Sequence, residues 1–139
     1  MNNRRIKRQA GVLIPDEVMS AEDQAKRQLE WNRRYAENEA RRTAAEEAGL
    51  PALHRLVEVA KRGTGQSRIC GRFLLALYNS RTFPFDMSDL RSLDQALWED
   101  CMSVLRLDQR PRDEVHNLVD NGFTIWEELK AVWGKKIHT

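Results

Sequence analysis

Oily side chains are crowded into one part of this chain and scarce in the other, and this imbalance limits what it can fold into more than any other feature. Up to residue 48 few aliphatic residues occur, Val12, Leu13, Ile14, Val18 and Leu29 among them; from Leu50 onward Leu, Val, Ile, Phe and Trp recur every three or four residues. That recurrence is the helical period, and no stretch shows the strict alternation of a half-buried strand. The expected fold is therefore all-α: a small bundle of four or five short helices, preceded by a long charged N-terminal helix.

The expected organisation has four parts: a basic arm (1–19), a long charged helix (20–48), a helical core domain (49–134) and a short tail (135–139). A chain of 139 residues accommodates one domain with an appendage. The charged helix opens at Ser20, whose hydroxyl is suited to capping, with Asp23 at the capping-box distance. Its body of Ala, Glu, Arg, Lys and Gln favours helix, and Gly49 and Pro51 are expected to end it. The apolar stripe here is thin, made of Ala25, Leu29, Ala36 and Ala40, with Trp31 and Tyr35 one turn apart on a neighbouring face.

Within the core domain, residues 51–62 place Leu53, Leu56, Val57 and Ala60 on one stripe. Residues 66–79 do the same with Ile69, Cys70, Phe73, Leu74, Leu77 and Tyr78. Pro84 bends the chain, leaving Phe83 and Phe85 as apolar plugs. Asp86 or Ser88 caps a helix running to about residue 107, with an interruption near Ser92. Residues 110–120, opened by Pro111, are expected to form a short helix burying Val115, Leu118 and Val119. Thr124 and Glu127 form a capping box for a terminal helix carrying Trp126, Leu129, Val132 and Trp133.

Charge excludes some functions. The 23 Lys and Arg nearly cancel the 21 Asp and Glu, so a net charge of +2 gives no overall field drawing the chain to nucleic acid or membrane. No apolar run approaches the roughly 18 residues of a membrane span, and the run 11–14 is too brief for a signal-peptide core. The expectation is a cytoplasmic protein without membrane contact.

No residue pattern carries chemistry. Cys70 and Cys101 lack CxxC or Cys/His spacing and fall on apolar helix faces, where a thiol is buried and de-activated. His54, His116 and His138 show no HxxxH or HExxH spacing, so no catalytic, cofactor or metal site is expected. A cysteine-based enzyme ranks third among the readings. The turn Gly63-Thr64-Gly65 resembles a phosphate loop only superficially, because residues 63–68 hold no Walker lysine. The candidate partner-binding residues are Trp31, Arg33, Arg34 and Tyr35: they lie on a helix with little else to bury, and Trp, Tyr and Arg dominate interface hot spots. Trp126 and Trp133, seven residues apart, also fit a helix that docks in a groove, but a domain this small needs those rings in its core. The alternative reading is a nucleic-acid factor using Arg4, Arg5, Lys7 and Arg8. Four phosphate contacts would give a log-log salt slope of roughly −3 to −4.

The segments Gly65-Gln66-Ser67-Arg68, Arg72-Phe73-Leu74-Leu75, Leu77-Tyr78-Asn79, Phe83-Pro84-Phe85-Asp86, Asp89-Leu90-Arg91 and Val104-Leu105-Arg106 lie within residues 50–116. This stretch resembles a family of small uncharacterised helical proteins encoded on proteobacterial integrative elements, plasmids and prophages. The resemblance implies an accessory protein of a mobile genetic element and brings no activity with it. By analogy of setting, such proteins are similar to inhibitors of host defence systems, anti-CRISPR proteins included. The functional expectation is a non-catalytic protein that inhibits or remodels a protein complex of the bacterial host.

Overall fold

The computed structural model describes residues 20–135, and every regular element among them is helical. The helices are α1 (Ala21–Ala60), α2 (Gly65–Tyr78), α3 (Gln95–Gln109) and α4 (Gly122–Trp133), with 3-10 turns at Met87–Ser92 and Val115–Leu118. The chain divides into two units, Met1–Ala40 and Arg41–Thr139.

Helix α1 begins as its sequence suggests, with the Ser20 hydroxyl accepting from the Asp23 backbone N–H at 3.0 Å. It does not end at Gly49: the helix runs on through Pro51 to Ala60. A proline inside a helix removes one hydrogen bond and costs about 3 kcal/mol. The burial of Ala52, Leu53, Leu56, Val57 and Ala60 just beyond it offsets that cost. Gly49 has a packing role here rather than a breaking one. A Cβ there would stand 2.7 Å from the Leu107 Cβ and 3.1 Å from the Ser103 carbonyl oxygen, so only glycine lets α1 and α3 approach this closely.

The core of the second unit is built on Leu53, Leu56, Leu74, Leu75, Val104, Cys70, Cys101 and Trp126, all essentially inaccessible. Each large aliphatic side chain in such a place contributes roughly 1.5–3 kcal/mol relative to exposure. Capping sets the angles at which the helices enter. Thr64 and Ser67 form a reciprocal box at the start of α2, each hydroxyl accepting from the other's backbone N–H at 3.1 and 3.2 Å. Asp86 caps the first 3-10 turn and Asp94 caps α3, so the expected interruption near Ser92 is real. Side chains also satisfy exposed carbonyls at two helix C-termini. Trp133 Nε1 donates to the Ala60 carbonyl at 2.9 Å, and Arg72 donates to the Trp133 and Lys135 carbonyls at 3.0 and 3.2 Å. Both tryptophans of the terminal helix are thus tied into this unit.

Two expected elements differ. Residues 110–120 form only a 3-10 turn, although Val115 and Val119 are buried as foreseen. The Asp113 carboxylate accepts from the Glu114 backbone N–H at 2.7 Å and from the Asn117 side chain at 3.0 Å, local bonds that compete with a regular helix. Helix α4 starts at Gly122, two residues before Thr124, and Glu127 pairs with Lys130 at 2.7 Å instead of closing a capping box. Asn121 adopts a left-handed conformation (φ 58°) and turns the chain early.

Candidate protein-contact surface

In the first unit, residues 20–40 contain no buried side chain; Glu30, Asn38 and Glu39 are half-buried and the rest exposed. Leu29, Trp31 and Tyr35 retain 68%, 61% and 57% of their accessible surface, so this stretch of helix leaves its large apolar groups in water. Trp31 and Tyr35 stack with ring centroids 5.6 Å apart and planes 12° from parallel. A one-turn spacing produces this, because side chains four residues apart on a helix meet. Arg33 and Arg34 both turn to Glu30, the latter at 3.4 Å. The structure therefore gathers the four sequence-selected residues on neighbouring turns and adds Glu30 as the group that holds both guanidinium ions. Stacking fixes the aromatic rings before any contact is made, which lowers the ordering cost of binding. Arg4, Arg5, Lys7 and Arg8 lie outside the described residues.

The second unit has a feature that no spacing revealed. An open groove is lined by Arg55, Val59, Arg62, Gln66, Leu97 and Asp100, among others, from α1, α2 and α3. Arg55 donates twice to Asp100, at 2.8 and 3.0 Å, and Gln66 accepts from the Asp94 backbone N–H at 2.9 Å. Its signal in the sequence is absent because residues some forty positions apart make it. Its lining sets Arg55, Arg62 and Arg68 against Glu58, Asp94, Glu99 and Asp100, so charges of both signs are mixed along it, and Arg55 and Asp100 pair within it. The turn at Gly63-Thr64-Gly65 borders this groove, and Thr64 is occupied as the cap of α2.

Both thiols lie in the core, and burial pushes each up to about 12. This is the reverse of activation, since the thiolate is the nucleophile. His54 directs its Nδ1 to the Leu50 carbonyl at 2.9 Å. The His116 ring lies edge-on to Tyr78 at 5.1 Å, and its buried Nδ1 has no hydrogen-bond partner among the described residues. Among those residues no three His, Cys, Asp or Glu side chains are grouped to hold a metal ion, and no helix is long and apolar enough to cross a membrane.

A thiol whose native value is raised stabilises the fold fully below its unfolded value, near 9, and that stability is lost as pH rises toward 12. Native protein at pH 8 should accordingly react with a disulfide reagent only as fast as it unfolds, while protein in urea reacts at once. Denaturation midpoints should fall steadily above pH 9, and Cys70→Ala/Cys101→Ala should flatten that fall.

The helical elements define a small all-α protein, and its first unit carries an exposed, stacked aromatic pair. The chain belongs to a family of unknown function (DUF7673), matched over residues 50–134. The match starts at Leu50, so Trp31, Arg33, Arg34 and Tyr35 lie outside the family region. No curated protein and no solved structure matches the chain.

Proposed function

We propose that this protein is a non-catalytic binding protein that acts by stoichiometric contact with another protein through the Trp31–Tyr35 face of α1. The observation that supports this reading most is the stacked pair itself: two large rings, more than half exposed, on a helix segment with nothing buried. Single exposed apolar residues are ordinary on a protein surface; a pre-ordered Trp–Tyr pair beside Leu29 and two arginines has the make-up of an interface hot spot. The setting we propose is a mobile genetic element. The partner would be a protein complex of its bacterial host, inhibited or remodelled in the manner of an anti-CRISPR protein. Support for this setting comes from the sequence resemblance over residues 50–116, and the site outside the family region fits a member-specific partner.

The test is affinity capture from host lysate with the full chain and with Trp31→Ala/Tyr35→Ala. Both rings are exposed, so the double substitution should shift stability by no more than about 0.5 kcal/mol per site. The wild-type protein should recover one specific protein or complex. The variant should recover at most about a tenth as much, because hot-spot truncations cost ~2 kcal/mol or more. Equal recovery by both proteins, or no specific recovery by either, overturns the reading. Capture of nucleic acid that weakens steeply with salt would favour the basic N-terminal arm instead.

A further inference from the structure

One line of side chains runs along α1. Trp31, Tyr35, Asn38, Arg42, Ala45 and Gly49 follow one another at alternating steps of four and three, which keeps them on one face of the helix, and Ala52 and Leu56 continue the line at the same steps. Burial along it rises in one direction. Trp31 and Tyr35 are exposed, Asn38, Arg42 and Ala45 are half-buried, and Gly49, Ala52 and Leu56 are buried. Another helix covers part of the buried end: Gly49 lies against Ser103 and Leu107, and Arg55 pairs with Asp100, so α3 is laid antiparallel on α1. That cover ends early. Helix α3 stops at Gln109, and Arg112 just past it pairs with Glu46. From Glu46 back to Trp31 the line runs on for about four more turns, roughly 22 Å.

We infer that the exposed end of this line, Trp31, Tyr35 and Asn38, receives an α-helix of a partner protein, packed lengthwise on α1 as α3 is farther along it. Side chains repeating at three and four form a straight ridge, and a second helix meets such a ridge along its whole length at a crossing angle of about 20°. A partner helix of about three turns, roughly 16 Å, spans Arg27 to Asn38. Its contact side is apolar opposite the two rings and carries an amide or a carboxylate opposite Asn38. A strand fits less well, since a helix offers no free backbone edge for it to extend. Nucleic acid fits less well too, because the two rings are stacked on each other rather than spread to receive bases. The inference rests on the reading of the Trp31–Tyr35 face as a protein-contact surface and adds the form of what binds there.

Photo-crosslinking of the full chain in host cells tests it, with a benzophenone side chain placed in turn at Gln28, Tyr35 and Asn38 and the attachment sites mapped by mass spectrometry. All three probes should reach one protein within a single stretch of about fifteen residues. Sites reached from positions 28 and 35 should lie about seven residues apart, and those from 35 and 38 about three or four apart, as on one helix face. In parallel captures Asn38→Ala should lower recovery at least about three-fold. Glu37→Ala, roughly 120° round the helix from Trp31, should change it less than about two-fold. Sites about two residues apart, sites scattered over separate segments, or adducts with nucleic acid, with the chain itself or with a second copy each overturn the inference, as does equal loss in the two variants. A specific protein captured through Trp31 and Tyr35 but attached at non-helical spacing sinks only the helix. Absence of any adduct and of any capture sinks the binding role and the helix with it.

Discussion

Replacing Gly122 with alanine should destabilise the protein by more than about 3 kcal/mol, enough to lower its midpoint of thermal unfolding by on the order of 15 °C. A Cβ at this position would lie 1.5 Å from the His116 carbonyl oxygen and 2.7 Å from its carbon. Both are backbone atoms, so no side-chain rotation can relieve the overlap, and α4 would have to move off the 3-10 turn Val115–Leu118. That shift would disturb Val115, Val119 and Trp126, which are all buried. Gly63 is the control. No atom lies within 4 Å of its would-be Cβ, so Gly63→Ala should change stability by less than about 0.5 kcal/mol. Urea denaturation followed by circular dichroism reads both. Equal midpoints for the two variants would mean that α4 does not rest on the His116 carbonyl as described.

Trp126→Ala is expected to cost about 3–5 kcal/mol, a large share of the ~5–15 kcal/mol available to a domain of this size. Its ring is 1% exposed and its Nε1 donates to the Leu74 carbonyl at 3.3 Å, so truncation opens a cavity and loses that buried bond. Trp126→Phe keeps most of the volume and loses the bond, and should cost about 1–2 kcal/mol. The ranking Ala, then Phe, then wild type in denaturant midpoint checks both parts of the argument. Trp133→Phe offers a comparison, since its bond to the Ala60 carbonyl sits at a half-buried edge and is worth less than a bond in the interior.

The helical class and most of the core were legible because apolar spacing reports directly on which face is buried. Leu53, Leu56, Val57, Ala60, Ile69, Cys70, Phe73 and Leu74 are all buried, and each was on a predicted stripe. Helix ends were less legible where long-range packing outweighed local propensity. Gly49 and Pro51 together are a strong stop by local rules, yet the close approach of α1 to α3 uses the missing Cβ, and burial on both sides of Pro51 carries the helix through. Asn121-Gly122 reads locally as the end of one helix; it is instead the start of α4, because Gly122 has to pass beneath the His116 carbonyl. The aromatic pair was visible as Trp and Tyr four residues apart on an Ala- and charge-rich helix. Its stacking and the joint hold of Glu30 on Arg33 and Arg34 were not, since rotamers are chosen only once the helix exists. The groove of the second unit left no trace in the sequence because it arises where three distant segments meet.

Site-specific photo-crosslinking in cells tests the central claim, that the exposed face of α1 touches protein. A benzophenone side chain placed at Tyr35 is compared with one at Phe123, which is 72% exposed on α4 and so equally available to chance collision. Position 35 should give a discrete adduct with protein, and position 123 none above background. Adducts from position 123 with none from position 35 would contradict the claim.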